Sequence, residues 1–208
     1  AFSEILPFIK PGVKEFEVAL ELEYKMKKLG ASGVSFETIV ASGPRSALPH
    51  GTAGNREIQA GDAIVMDFGA IYKGYCSDMT RTVFMGEPHE KLKEIYNIVL
   101  KAQLEALNAS AAGITGKELD SVSRNIINNE GYEKCFGHGL GHGVGVEIHE
   151  KPGISPKGEE ILKPGMVFTV EPGIYVEGFG GVRIEDMVFL TSDGAEIPTK
   201  STKSIIIL

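Results

Sequence analysis

The chain has 208 residues, 42% of them hydrophobic, and a formal net charge of −7 with a pI near 5.3. Without any run of Lys and Arg, this balance speaks against nucleic acid or an anionic membrane surface as partner. No apolar run approaches the ~20 residues of a membrane span, no secretory leader opens the chain, and Cys76 and Cys135 form no C-x-x-C, so a reducing, cytoplasmic setting is expected.

The chain begins AFSEILPF, without Met and apparently partway into a helix, as expected of a fragment whose upstream part has been removed. Glu15 to Leu29 reads as a helix, with Phe16, Leu20 and Met26 near one face, Ala19, Leu22 and Glu23 beside them, and Gly30 as its stop. Extended chain is expected at Val34 to Ala41, then a loop from Ser42 to Asn55 that carries His50. From Asp62, two apolar, β-prone runs joined through Gly69 to Gly74 predict a hairpin, with Asp67 ending the first run and Asp78 interrupting the second. A carboxylate within an apolar strand is costly to bury unless it is paired or bound to metal. His89 to Asn108 repeats Leu92, Ile95, Val99, Ala102 and Ala106 at steps of three and four, the mark of an amphipathic helix. Thr115 and Glu118 form a capping box opening a further helix through Leu119, Val122 and Ile126. Pro152 to Gly165 reads as a loop, and MVFTVEPGIYV and GGVRIEDMVFL as two strands carrying Glu171 and Glu185.

Between these lies FGHGLGHGVGVEIHE, Phe136 to Glu150, which holds three of the five histidines. Glycine falls at every second position from Gly137 to Gly145, so one face of an extended chain is bare backbone, open to close approach, and the other presents His138, Leu140, His142 and Val144. The two halves of the sequence also overlay. Ile58 to Tyr72 matches Leu162 to Val176, placing Gly61 on Gly165, Asp67 on Glu171 and Gly69 on Gly173. A repeat of roughly 100 residues predicts a duplicated αβ half about a pseudo-twofold axis, with four carboxylates meeting near it. Such a cluster does not stay ionised without cations, and two divalent ions would neutralise it. His138 and His142 stand roughly 13 Å apart along a regular strand, so one of them fits as a ligand and both together do not. The spacing is not H-E-x-x-H, so a helical zinc-protease site is not indicated.

MDFG (Asp67), SDMTRT (Asp78), HGLGHGVGVEIHE, TVEPGIY (Glu171) and GGVRIED (Glu185), with eleven residues from Asp67 to Asp78 and seven from His142 to His149, carry a resemblance. Over nearly its whole length the chain resembles the two-metal aminopeptidases and prolidases of the pita-bread fold. The resemblance implies an α+β fold of two pseudo-twofold halves, roughly 1–108 and 109–208, with a curved antiparallel sheet and outer helices. It implies a single catalytic domain over 1–208 without the upstream domain that family members use to cap the site and form a homodimer.

It also implies that Asp67, Asp78, His142, Glu171 and Glu185 are the metal ligands, with Asp78 and Glu185 bridging, His142 and Glu171 on one ion and Asp67 on the other. Glu171 would move the proton, His149 and His50 would hold the scissile peptide group, and His138 and Arg183 would shape the proline side. Arg183 would also orient the bridging carboxylates. The ions would be manganese by family habit, with cobalt, iron and zinc as alternatives the ligand types also suit. The presence of both His138 and Arg183 looks like the Xaa-Pro branch, acting on peptides with proline second. Gly153 stands where dipeptide-specific relatives carry Arg, which inclines the reading towards longer peptides. A methionine aminopeptidase of the same fold and a metal-free binding module remain as alternatives, the latter opposed by the complete ligand set.

Overall fold

In the computed structural model, which describes residues 1–208, the helices follow the apolar periodicity. Helix α1 (Phe2–Ile5) leads to α2 (Glu15–Lys28). The buried stripe of α2 is Glu15, Val18, Ala19, Leu22 and Met26. The face expected on Phe16 and Leu20 is therefore displaced, and Leu20 is 60% exposed. The 3–4 spacing of positions 15, 18, 19, 22 and 26 is the one that meets the core.

After β1 (Gly33–Val34) and β2 (Ile39–Ser42) the chain makes a short 3-10 turn, Gly43–Ala47, and the loop bearing His50. Next come β3 (Ala63–Phe68), β4 (Ala70–Tyr72), β5 (Tyr75–Cys76) and β6 (Met79–Phe84). The predicted hairpin is the antiparallel β3–β6 pair, with Asp67 opposite Thr80. Its connection is itself a small hairpin, β4–β5, bent away to join β1 in a separate sheet. Gly69 makes the bend, since a Cβ there would overlap the Ser77 carbonyl.

Helix α3 (Glu90–Ala109) buries all five residues of its predicted stripe, and α4 (Gly116–Asn129) opens on the expected capping box, with Glu118 N–H donating to Thr115 Oγ1 at 3.2 Å. The second half continues through β7 (Gly141–Gly143), β8 (Glu150–Ile154), β9 (Val167–Val170), β10 (Gly173–Val176), β11 (Gly180–Arg183), β12 (Asp186–Leu190) and β13 (Ala195–Glu196).

Three expectations need correcting here. The glycine–histidine stretch is a strand only over β7, and residues 144–149 turn back on themselves. The chain is extended again through Pro152 in β8, within the segment read as a loop. Strand β8 is at the edge of its sheet, where a proline without an N–H is tolerated. The two C-terminal apolar runs are each broken in two, at Glu171–Pro172 and at Ile184–Glu185, so that β10 and β11 form their own hairpin.

The repeat is visible in the ladders. Sheet order β2-β3-β6 in the first half recurs as β7-β9-β12 in the second, with β4–β5 and β10–β11 as matching outlying hairpins. The bare glycine face serves this packing: a Cβ on Gly141 would overlap the Thr169 carbonyl of β9, and one on Gly143 the Lys151 carbonyl of β8. Helix α3 lies in the first half by sequence, yet its apolar face belongs to the larger core, which also takes in α4 and β9–β12. A second core gathers α1, α2 and β3. No helix is long and apolar enough to cross a membrane.

Candidate active site

The acids sit where strands end or bend. Asp67 lies near the end of β3, Asp78 between β5 and β6, Glu171 just after β9, and Glu185 in the break between β11 and β12. The two halves are stitched at this point, Glu185 N–H donating to the Thr80 carbonyl at 3.1 Å. Asp67, Asp78 and Glu185 are 9%, 5% and 1% exposed, an unusual depth for three carboxylates in one place. They share a cavity of about 370 Å³ with Glu171, His142, His138, His149, His50 and Arg183, so all nine side chains singled out in the sequence line one space.

His142 Nε2 lies 3.3 Å from Glu171 and 3.5 Å from Asp78. One ligand atom each of Asp78, His142 and Glu185 falls within 4.8 Å of the others. His142 Nδ1 contacts the Gly143 carbonyl at 3.1 Å. A carbonyl only accepts, which places a proton on Nδ1 and leaves Nε2 as the ring atom that faces the acids. That is the orientation of a metal-binding imidazole. Asp67 Oδ1 and Asp78 Oδ1 are buried with no hydrogen-bond partner. Buried orphan carboxylate oxygens, clustered acids and one imidazole fit divalent cations well.

The titration behaviour follows from the same crowding. Burial, then the Asp67 and Glu171 charges, hold Asp78 well above the usual carboxylate range. Glu185 is raised likewise by burial and by Asp78. Burial also lifts Asp67, with Arg183 opposing it. Glu171 goes the other way. Burial pushes it up, but the His142 hydrogen bond, joined by the Arg183 charge, carries it below its usual value. Burial pulls His142 down, and Glu171 more than restores it, leaving the ring raised.

Arg183 is 2% exposed and fully engaged. It donates to Asp67 Oδ2 at 2.7 Å, to Thr80 Oγ1 at 3.0 Å, to the Tyr175 hydroxyl at 2.7 Å and to the Pro49 carbonyl at 3.0 Å. The expectation that it orients the two bridging acids is corrected in detail. It holds Asp67 directly and reaches Glu185 only through Thr80, whose hydroxyl donates to Glu185 Oε2 at 2.7 Å. His138 also has both nitrogens occupied. Nδ1 donates to the Gly139 carbonyl at 2.8 Å, and Nε2 accepts from the Tyr175 hydroxyl at 2.9 Å. Burial lowers the His138 pKa, favouring the neutral ring, and pushes Tyr175 up to about 12, so its hydroxyl keeps the proton it donates. His138 thus shapes the cavity with its ring rather than with a free N–H. His50 and His149 line the cavity and are exposed, and the His149 ring centroid is 4.2 Å from that of His142.

Three participants were not singled out in the sequence: Tyr175, Thr80 and Thr169, whose hydroxyl donates to Glu171 Oε1 at 3.1 Å. A signal existed for the threonines. Thr80 stands two residues after Asp78 and Thr169 two before Glu171, hence on the same face of extended chain. Tyr175 faces Gly181 across the β10–β11 hairpin, and its ring folds over Gly173. An aromatic residue flanked by glycines on two strands is a recognisable, weaker mark.

The model of metallopeptidase family M24 matches residues 1–192, and the chain belongs to that family. Its repeated α+β halves are the pita-bread fold. The solved Xaa-Pro dipeptidase from Bacillus anthracis superposes with a TM-score of 0.98 at 58% identity, covering 100% of this chain and 58% of that one. The X-Pro aminopeptidase from Thermotoga maritima gives 0.97 at 53%, covering 100% and 59%. Among curated sequences, the Xaa-Pro dipeptidase of Pyrococcus furiosus is 54% identical over 198 residues, 95% of this chain and 57% of the relative. The chain therefore spans somewhat over half the length of the relatives it matches.

Proposed function

We propose that this chain is the catalytic domain of a cytoplasmic metallo-exopeptidase that hydrolyses the bond between an N-terminal residue and a following proline. The observation that carries this reading is the convergence of nine side chains from both halves on one cavity, in a chain whose similar structures carry the names Xaa-Pro dipeptidase and X-Pro aminopeptidase. Asp67, Asp78, His142, Glu171 and Glu185 would hold two divalent ions, manganese by preference, with Asp78 and Glu185 shared. Bound there, such ions supply the Lewis acidity that makes water a nucleophile near neutral pH.

The chain's own residues do the rest. Glu171, kept ionised beside His142 and Thr169, takes a proton from the attacking water and delivers it to the leaving nitrogen. His149 and His50, which line the cavity, donate to the scissile carbonyl oxygen, where fixed donors help most as charge develops. Arg183 and Tyr175 lock Asp67 and the His138 ring into one rigid wall. The substrate's proline offers no N–H, and nothing in this scheme requires one.

Gly153 favours longer substrates within this reading. It pairs with His142 across the β7–β8 ladder, and a Cβ there meets nothing within 4 Å. The position has room for a cation that would grip a dipeptide's carboxylate, and carries none. In a panel of Ala-Pro, Ala-Pro-Ala and Met-Ala-Ser, the tripeptide Ala-Pro-Ala is expected to be cleaved fastest and Met-Ala-Ser not at all. Gly153→Arg should raise the Ala-Pro to Ala-Pro-Ala rate ratio by about tenfold, the value of one charge-assisted contact. Faster cleavage of Met-Ala-Ser than of either proline peptide would instead make this a methionine aminopeptidase.

A further inference from the structure

Among the buried carboxylates that catalysis does not use, Glu15 is the one whose partners lie in the loop bearing His50. Glu15 opens α2 and is 0% exposed. A helix N-terminus suits an acid, but the partners of Glu15 lie far along the chain. Its Oε1 accepts from the Ser42 N–H and the Ser42 hydroxyl, each at 2.7 Å. Its Oε2 accepts from the Gly54 N–H at 3.1 Å and pairs with the Arg45 guanidinium. Arg45 in turn donates to the Thr52 carbonyl at 2.8 Å. One carboxylate thus ties together residues 42 and 54, the two ends of the loop that presents His50. The loop's tip is held from the other side, where Arg183 donates to the Pro49 carbonyl at 3.0 Å. The His50 side chain is exposed. Its place over the cavity is set by the loop backbone rather than by packing of the ring.

We infer that Glu15 is a positioning residue for His50, acting through Ser42, Arg45 and Gly54 to hold that imidazole against the substrate. The inference rests on the proposed role of His50 at the scissile oxygen. Displacing a donor by a fraction of its hydrogen-bond length is felt mainly in the transition state, so the loss belongs in kcat.

A double-mutant cycle on hydrolysis of an Xaa-Pro peptide tests this. Glu15→Gln alone should lower kcat by about tenfold with KM within about twofold, and in a His50→Ala background it should cost less than about twofold, because groups acting as one unit are not additive. A merely structural role would lower both backgrounds equally, with a parallel fall in melting temperature. Should Glu15→Gln fail to fold, Arg45→Gln breaks the same tie from a side chain that is 31% exposed and enters the same cycle. Equal losses in the two backgrounds, or no loss in the first, would overturn the inference. A wild-type chain that cleaves no Xaa-Pro peptide overturns the functional reading and this one with it, whereas an active wild type without coupling overturns this one alone.

Discussion

Replacing Glu185 by alanine is expected to reduce Ala-Pro cleavage by at least about 10³-fold while the chain keeps its fold. Glu185 sits in the break between β11 and β12 at 1% exposure, so the change removes a buried carboxylate that is raised by burial and by the Asp78, Glu171 and Asp67 charges. In the cation-free chain the substitution removes the repulsion between Glu185 and Asp78. It also removes the acceptor of the Thr80 O–H, which can turn to the Asp67 carboxylate beside it while Arg183 still donates to its oxygen. The melting temperature without metal should therefore hold or rise as activity vanishes. Opposite movements of stability and activity are the signature of an acid retained for function against its own electrostatic cost. Retained turnover would contradict the assigned ligand role, and loss of the cooperative melt would show that Glu185 is needed for the fold itself.

The second large effect is the response to divalent ions and pH. Asp78 and Glu185 have pKa values raised in the fold well above their unfolded values, and Asp67 shifts the same way. The folded, cation-free chain thus holds more protons than the unfolded chain in and above the usual carboxylate range. Stability from these groups is fullest below that range and is lost as pH rises through their raised values. Glu171, His138 and His149 are lowered and work in the opposite sense, while the raised His142 sides with the three acids, and the largest shifts are those of Asp78 and Glu185. The melting temperature of the chelator-treated chain should accordingly fall as pH is raised from 5 to 8. Mn²⁺ at about a hundred times its dissociation constant should add about 2.7 kcal/mol for each ion bound, or about 5–10 °C per ion for a domain of this size. The gain should grow with pH, since the protons must leave for the ions to bind. A melting temperature indifferent to both chelator and pH would contradict the account.

How far the sequence alone leads can be judged from particular residues. The acids were legible because Asp67, Asp78, Glu171 and Glu185 interrupt apolar strands where burial penalises them, and because the repeat placed Asp67 on Glu171. Helix α3 was legible because its five apolar positions hold strict 3–4 spacing. The stripe of α2 is legible at Ala19, Leu22 and Met26 but not at its edge, because Phe16 and Leu20 are apolar yet lie on the outer flank, and hydrophobicity does not say which flank meets a core. The breaks after Glu171 and before Glu185 were hidden within continuous β-prone runs. Those breaks turn the chain away just where each carboxylate enters the cavity. The proximity of His142 and His149 was likewise unreadable from strand spacing, since it depends on the turn over residues 144–149. Long-range ties such as Glu15 to Ser42 and Gly54, or Arg183 to Pro49, have no local pattern and appear only when the halves close on each other.

The central claim is that the buried acids and His142 exist to hold divalent cations. Equilibrium dialysis of the 208-residue chain against Mn²⁺, followed by elemental analysis, counts those ions directly. The account predicts about two ions per chain, the number that neutralises four carboxylates. Fewer than one ion per chain after saturation would contradict it and leave the cluster without its purpose.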